Sequence, residues 1–207
     1  MSAIPQTTRL LTPLEYLSLE NAAEHKYEYR AGRIRMMAGG SLNHSKIFGN
    51  LYVALHNRLR GKPCQPFDSN LRVRVPQRRL FTYPDISVIC GQVELDPTDK
   101  SNGTVLNPTL LVEVLSPSTE RYDRGRKFDH YDFIDSLQQY VLVAQEWPSV
   151  QVLTRGAGKT WIIETFSGLE AVAKFRSIDV EVPLAEIYAG VDFSDPDAPP
   201  EQPEYEM

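Results

Sequence analysis

The stretch Thr-Leu-Leu-Val-Glu-Val-Leu at residues 109–115 decides the fold of this chain. It is almost entirely apolar and lies between Pro108 and Pro117, which predicts a central strand covered on both faces of a sheet. Glu113 is the exception, because burying a carboxylate costs free energy unless it is paired or bound to a metal ion. The residues alone leave three explanations open: an ion pair with an arginine, a strand end that reaches water, and a metal ligand.

A second carboxylate favours the metal ligand. Asp85 follows Pro84 and opens the mostly apolar stretch Asp-Ile-Ser-Val-Ile at 85–89. If this strand and the strand of Glu113 are neighbours, both carboxylates lie at one edge of the sheet. Two carboxylates and a backbone carbonyl are oxygen ligands of the kind that Mg²⁺ or Mn²⁺ accepts while keeping several waters. Taken alone, Asp85 is more typical of a turn or a helix cap.

The patterns on either side of this pair predict an α/β protein. Thr12 begins the pattern of a capping box with proline next to it, and a helix to about Glu24 should follow. Asn43 is the predicted N-cap of a helix at 44–60, and a third helix is predicted at 119–134. Strands are predicted within 25–37, around the turn Ala31-Gly32, and at 71–75, 85–89, 109–115, 140–145, 150–154, 161–166 and 178–182. This order indicates a mixed β-sheet flanked by α-helices.

Length and cysteine content suit one domain in a reducing compartment. The chain has 207 residues, enough to bury a full core without staples. Cys64 and Cys90 are too few for a disulfide scaffold or a four-thiolate zinc site, and we expect two reduced core residues in a cytoplasmic protein. The N-terminus lacks the apolar stretch of a signal peptide, and no apolar run approaches the ~18 residues of a membrane-spanning helix.

The charge is unevenly distributed. The net charge of −5 argues at first against a nucleic-acid partner. Five of the 27 acidic residues lie in the proline-rich segment 194–207, which has no basic residue, so the remainder is balanced at 22 acidic and 22 basic residues. A neutral domain can still bind DNA through a local basic face. We therefore expect a flexible N-terminus at 1–11, a folded domain at 12–193 and an acidic disordered tail at 194–207.

Two sequence blocks carry a family resemblance. Tyr-Pro-Asp-Ile-Ser at 83–87 and Val-Glu-Val-Leu-Ser-Pro-Ser-Thr at 112–119 resemble the signature of PD-(D/E)xK nucleases. More narrowly, they resemble the restriction-endonuclease family called Uma-two, as do the blocks at 26–34, 37–47, 122–131 and 137–145, so that the resemblance covers about residues 12–190. It implies the restriction-endonuclease-like fold and an endonuclease that hydrolyses DNA phosphodiester bonds with Mg²⁺ or Mn²⁺. It also implies that two copies of the chain form a homodimer.

The resemblance assigns the metal to Asp85, Glu113 and the backbone carbonyl of Val114. The lysine expected two residues after the glutamate is replaced by Leu115, and the resemblance suggests that Lys127 takes its role. The alternative is an ordinary surface ion pair between Asp123 and Lys127, which are spaced i, i+4. The missing lysine also keeps a rival open, a catalytically silent module that binds nucleic acid or protein, for which Lys127 should point away from the carboxylates. A hydrolase of RNA or nucleotides is a further alternative.

Other polar residues are weaker candidates. Glu28 is either an additional catalytic and metal-binding carboxylate, as related nucleases suggest, or a solvent-facing strand residue. His44, at the start of a helix, could donate to a phosphate or lie exposed at a capping turn. Asp68 is predicted to be a turn residue. Basic clusters suggest nucleic-acid contacts without sequence readout, or else a solvated surface, and their main candidates are Arg72, Arg74 and Arg124.

Overall fold

The computed structural model describes residues 9–193 except 38, 118 and 159. Within these residues the helices are α1 (Pro13–Glu20), α2 (Leu42–Leu59), α3 (Glu120–Tyr122), α4 (Phe128–Tyr131) and α5 (Leu184–Ile187), and a π-helical segment, Asp123–Lys127, joins α3 to α4. The strands are β1 (Tyr27–Arg30), β2 (Arg33–Met36), β3 (Cys64–Asp68), β4 (Arg72–Val75), β5 (Leu80–Thr82), β6 (Ile86–Cys90), β7 (Thr104–Val105), β8 (Leu110–Val114), β9 (Gln139–Val143), β10 (Ser149–Arg155), β11 (Trp161–Ser167), β12 (Val172–Phe175) and β13 (Val180–Pro183).

A six-stranded sheet in the order β11-β10-β9-β8-β6-β3 forms the centre of the molecule. Strand β8 pairs in parallel with β9 and antiparallel with β6, so the sheet is mixed. All five residues of β8 are buried, which confirms the prediction of a central strand covered on both faces. The fold class predicted from the sequence, a mixed sheet flanked by helices, is confirmed.

The two faces of this sheet bury different partners. Alternate residues of β8, such as Val112, pack against α2 through Ile47, Leu51 and Leu55, which recur every four residues along one side of the helix. The β12–β13 hairpin and α5 complete that cluster. On the opposite face Leu111 packs with side chains of α4, β9 and a second sheet. Glu113 belongs to this second face, because side chains two residues apart along a strand point the same way.

The second sheet has five strands in the order β2-β1-β5-β4-β7. Helix α1 covers it through an aromatic cluster of Tyr16, Tyr29 and Phe81, whose ring centroids lie 5.1–5.7 Å apart. The predicted capping box of α1 is present, with the Thr12 hydroxyl accepting from the Glu15 amide. Strand β5 ends two residues before Pro84-Asp85, and β6 of the central sheet begins directly after Asp85. Asp85 therefore lies where the chain passes from the second sheet to the central one.

Two local predictions are wrong. Helix α2 begins at Leu42 with Ser41 as its N-cap, because the Ser41 hydroxyl accepts from the amide of His44 at 3.0 Å. Asn43 instead lies in the first turn of the helix, and its side-chain amide donates to the Asp192 carbonyl at 2.6 Å. Cys64 and Cys90 lie directly opposite each other on the antiparallel strands β3 and β6 and form a disulfide, so the prediction of two reduced residues is corrected.

The start of the described chain is held by hydrogen bonds to β1 and to the turn that follows it. Leu11, within the segment predicted to be flexible, donates its amide to the Gly32 carbonyl and accepts from the Tyr29 hydroxyl. Residues 1–8 and the predicted acidic tail at 194–207 lie outside the described residues. Across the described part of the chain, none of the helices combines the length and the apolar character needed to cross a membrane.

Candidate active site

Asp85 and Glu113 lie side by side on neighbouring strands. Strands β6 and β8 pair with Ile86 opposite Val112, and extending that register by one residue puts Asp85 opposite Glu113. Asp85 Oδ2 accepts from the amide of Val114 at 2.7 Å. Glu113 is only 4% exposed. The two carboxylates therefore meet at one edge of the sheet, as their positions in the sequence predicted.

Lys127 reaches back from the helical segment to this edge. Its Nζ lies 2.8 Å from Glu113 Oε1 and 3.4 Å from Asp123 Oδ1. Asp123 and Lys127 are both buried, so their ion pair is not the surface pair that i, i+4 spacing alone suggests. They are the first and last residues of the π-helical segment. π-Helical turns within α-helices are frequent at functional sites. This one carries Lys127, which is the counter-charge of Glu113, and Asp123, which is the second carboxylate paired with Lys127.

Tyr131 is a member of the site that the sequence analysis missed. The fully buried side chain donates its hydroxyl to Glu113 Oε1 at 2.9 Å. Lys127 and Tyr131, four residues apart on one helical face, thus converge on the same carboxylate oxygen. The spacing of Lys127 and Tyr131 was visible in the sequence, but only the position of Glu113 shows what their common face contacts.

Glu28 approaches the site from the second sheet. It is partly buried on β1, and its Oε1 accepts from the Thr82 hydroxyl on β5. Together with the charge of Glu113, the charge of Glu28 raises the pKa of Lys127 and the pKa of the Tyr131 hydroxyl. Glu28 therefore lies within electrostatic reach of both side chains, and its own hydrogen bond is with Thr82.

His44 lies on the other side of Asp85. Its Nε2 is 3.2 Å from Asp85 Oδ2, and the ring is only partly exposed. Burial alone would lower the pKa of His44, but the hydrogen bond and the charge of Asp85, helped by Asp123, raise it above its ordinary value. The imidazole thus has its strongest contact with the candidate metal ligand. His44 is therefore not the exposed capping-turn residue that was the alternative prediction.

The site has more negative than positive charge. Burial raises the pKa of Glu113 well above its ordinary value, the carboxylates of Asp123 and Asp85 raise it further, and Lys127 opposes the shift. Burial would lower the pKa of Lys127, but Glu113, Asp123 and Glu28 outweigh it and raise that pKa well above its ordinary value. Burial is thus the main cause for Glu113, whereas the carboxylates of Glu113, Asp123 and Glu28 raise the pKa of Lys127. The carboxylates outnumber the single ammonium group. A cation added here would relieve their repulsion.

The donor set suits a small, hard divalent cation. No group of three or more His, Cys, Asp or Glu side chains within the described ranges is arranged to hold a metal ion. Two carboxylates and a carbonyl are nonetheless enough for Mg²⁺, which keeps several of its waters. The amide of Val114 points at Asp85, and in a strand the carbonyl of the same residue faces the same side. Asp85, Glu113 and the Val114 carbonyl could therefore share one ion.

The basic residues expected to contact nucleic acid divide into two kinds. Arg72 is 4% exposed and lies over the rings of Tyr16 and Tyr83, with Asp99 at 3.5 Å, so the prediction that it contacts nucleic acid is wrong. Arg74 is likewise held by Asp96, at 2.7 Å. Both arginines of the basic stretch at 71–75 are thus paired with aspartates of the same chain. The sequence of the stretch alone could not show these pairs. Arg124 remains partly exposed beside the site, paired with Glu120 at 2.6 Å.

Arg72→Met is expected to destabilise the fold by about 3 kcal/mol, because removing one partner of a buried ion pair leaves the other charge unpaired. Asp99 would keep only hydrogen bonds from neutral groups, including the Thr104 hydroxyl at 2.6 Å and the Ser101 amide at 3.0 Å. Urea denaturation measures the loss. The exposed Arg33→Met is the matched control and should change stability by less than about 0.5 kcal/mol. A stable Arg72→Met protein with weakened DNA binding would restore the interpretation as a surface contact.

Comparison with known proteins identifies a family and a solved fold. The family model named Uma2, described as "Putative restriction endonuclease", matches residues 13–185. The chain is also similar to the crystal structure of a "putative nuclease belonging to DUF820" from Anabaena variabilis, with a TM-score of 0.69 and 20% sequence identity, over 86% of this chain and 97% of that one. At this identity the likeness concerns the fold.

Two relatives from Synechocystis are similar over nearly their whole length. The uncharacterized protein slr1290 is 37% identical over 184 residues, which is 88% of this chain and 94% of the relative. The uncharacterized protein sll1609 is 33% identical over 174 residues, which is 84% of this chain and 97% of the relative. The family match at residues 13–185 includes the segments that carry Glu28, Asp85, Glu113 and Lys127.

Proposed function

This chain belongs to the Uma2 family, and on that premise we propose that it is a divalent-metal-dependent endonuclease that hydrolyses DNA phosphodiester bonds. The observation that carries the proposal is the convergence of Asp85, Glu113 and Lys127 at one end of β8. Lys127 Nζ lies 2.8 Å from Glu113 Oε1, although the two residues are in different elements. A silent module would have Lys127 pointing away, so this geometry favours the enzyme.

The charge of the site supports the metal. Asp85, Glu113 and the Val114 carbonyl would hold Mg²⁺ or Mn²⁺, and Glu28 would stabilise the cation or help to hold a second one. When bound, such an ion activates water and offsets the charge of the reacting phosphate. The site needs such a cation because the positive charge of Lys127 alone does not balance the negative charge of the carboxylates. A nucleic acid would add further negative charge, so the cation would strengthen substrate binding at this edge.

The remaining residues have defined tasks in this proposal. Lys127 orients the attacking water and stabilises negative charge that develops on the phosphate in the transition state. Tyr131, by donating to Glu113 Oε1, holds that carboxylate in one orientation. His44 fixes Asp85 from the opposite side, at 3.2 Å. Arg124, an exposed residue of the helical segment, would contact a neighbouring phosphate.

Supercoiled plasmid DNA tests the reaction and the metal together. We expect the wild-type chain to nick the plasmid with Mg²⁺ or Mn²⁺ and not with EDTA. Asp85→Asn removes one charged ligand, which should cost about 3 kcal/mol of transition-state stabilisation and lower the rate by ~100-fold. The initial rate of nicking, measured over a range of Mg²⁺ concentrations, separates a weaker metal site from slower chemistry.

Asp135→Asn is the control, because it makes the same chemical change at an exposed residue. It should cut at the wild-type rate. Nicking that persists in EDTA, or that is equal in Asp85→Asn and wild type, would contradict the proposal. The family resemblance also predicts a homodimer, and sedimentation at several concentrations measures the oligomeric state.

A further inference from the structure

Trp147 is an exposed aromatic residue at the same sheet edge as the carboxylates. It follows β9 in the turn to β10, and it is 50% exposed. Because β8 and β9 are parallel, their carboxyl ends meet at one edge, which puts this turn beside the end of β8 that carries Glu113. The other tryptophan, Trp161, is tied to Asp132 by a 2.8 Å hydrogen bond. Burial does not explain why Trp147 is aromatic.

A surface groove leads away from Trp147. One depression is lined by Trp147 together with Leu115, Pro117 and Glu120, among others. A second depression shares Pro117 and Glu120 with the first and is also lined by Arg121 and Arg124. Because they share two residues, the depressions are parts of one groove, with a flat aromatic ring at one end and two guanidinium groups at the other. It begins at Leu115, two residues beyond Glu113.

The positive charge of the groove lies at the end away from Trp147, whereas the exposed carboxylate of Glu146 lines the groove beside Trp147. The carboxylate of Glu120 is paired with Arg124 at 2.6 Å, so these two groups balance each other. Arg121 is exposed and adds a positive charge at the same end. An aromatic face combined with an arginine is the pair of groups that binds single-stranded nucleic acid, by base stacking and phosphate contact respectively.

We propose that Trp147 and Arg121 form a subsite for an unpaired nucleotide next to the bond that is cut. The inference rests on the proposed nuclease function and narrows its substrate to DNA with single-stranded character. In a duplex both faces of each base are covered by neighbouring base pairs, so Trp147 can stack only on a base that has left the helix. Arg121 contacts the phosphate of that nucleotide, and the phosphodiester one step further along lies towards Glu113.

Tryptophan fluorescence in EDTA measures this binding without cleavage. The full chain is titrated with single-stranded oligothymidylate and, separately, with a blunt duplex of equal length. We expect the single strand to quench the fluorescence of wild type and of Trp161→Phe alike. Trp147→Ala should bind it about tenfold more weakly, as judged by the anisotropy of a labelled strand, and Trp147→Phe should retain most of the affinity. The duplex should bind wild type and Trp147→Ala equally.

The possible outcomes distinguish a failure of the proposed subsite from a failure of the proposed nuclease function. Equal single-strand affinities of wild type and Trp147→Ala, or an equal loss for single strand and duplex, would overturn the subsite even if the protein cuts DNA. The same holds if the single strand does not bind wild type at all. A selective loss of single-strand binding in Trp147→Ala supports the subsite even if no cleavage is ever observed, because the measurement contains no metal.

Discussion

Glu113→Gln is expected to lower the rate of metal-dependent DNA cleavage by ~10³-fold or more. The substitution keeps the shape of the side chain and removes its charge. Glu113 is both a proposed metal ligand and the closest partner of Lys127, so two contributions to the transition state are lost together. Loss of about 4 kcal/mol of transition-state stabilisation corresponds to a change of that size.

Stability and activity should separate in this variant. Burial makes the charged form of Glu113 costly, and in Glu113→Gln the buried Lys127 keeps Asp123, at 3.4 Å, as its counter-charge, so the free energy of unfolding without metal should fall by less than in Lys127→Met. The thermal stabilisation that Mg²⁺ gives to the wild type should disappear. Glu170→Gln, at an exposed position, is the control for both measurements. Cleavage within tenfold of wild type would contradict the assignment of Glu113 as a ligand.

The carboxylate pair could be predicted from the sequence because its signal is local. Glu113 interrupts an apolar strand, and Asp85 opens another, so each residue departs from the pattern of its own neighbours. The register of β6 and β8 then brings them together, as any antiparallel pairing of the two strands with their ends aligned would. The central strand and α2 were predictable for the same reason, since hydrophobic periodicity is read over a few residues.

Other parts of the site depend on partners distant in sequence. Nothing near Arg72 shows that Asp99 and two tyrosine rings bury its guanidinium, and nothing near Tyr131 shows that its hydroxyl meets Glu113. The strands β3, β5, β7 and β12 are short or interrupted by polar residues, and pairing with neighbouring strands stabilises them. The disulfide has a similar origin, because opposite positions on β3 and β6 exist only after the strands pair.

Lys127→Met is the experiment that distinguishes a catalytic lysine from a structural ion pair. In both cases the metal-free protein should lose about 3 kcal/mol of stability, because Glu113 and Asp123 lose their shared buried cation. Only a catalytic lysine predicts, in addition, a fall in cleavage rate of ~10³-fold at saturating metal. Single-turnover rates and urea denaturation measure the two effects on the same preparations.

The response to metal provides a further readout of the charge balance. Without Lys127 the carboxylates of Asp85, Glu113 and Asp123 repel one another, and a divalent cation is the remaining means of relieving that repulsion. Mg²⁺ should therefore raise the melting temperature of Lys127→Met by more than it raises that of wild type, while cleavage stays low. Lys100→Met, at an exposed lysine, should match the wild type in both. Full cleavage by Lys127→Met at saturating Mg²⁺ would show that the ammonium group only balances charge, because the metal would then have replaced everything that Lys127 supplies.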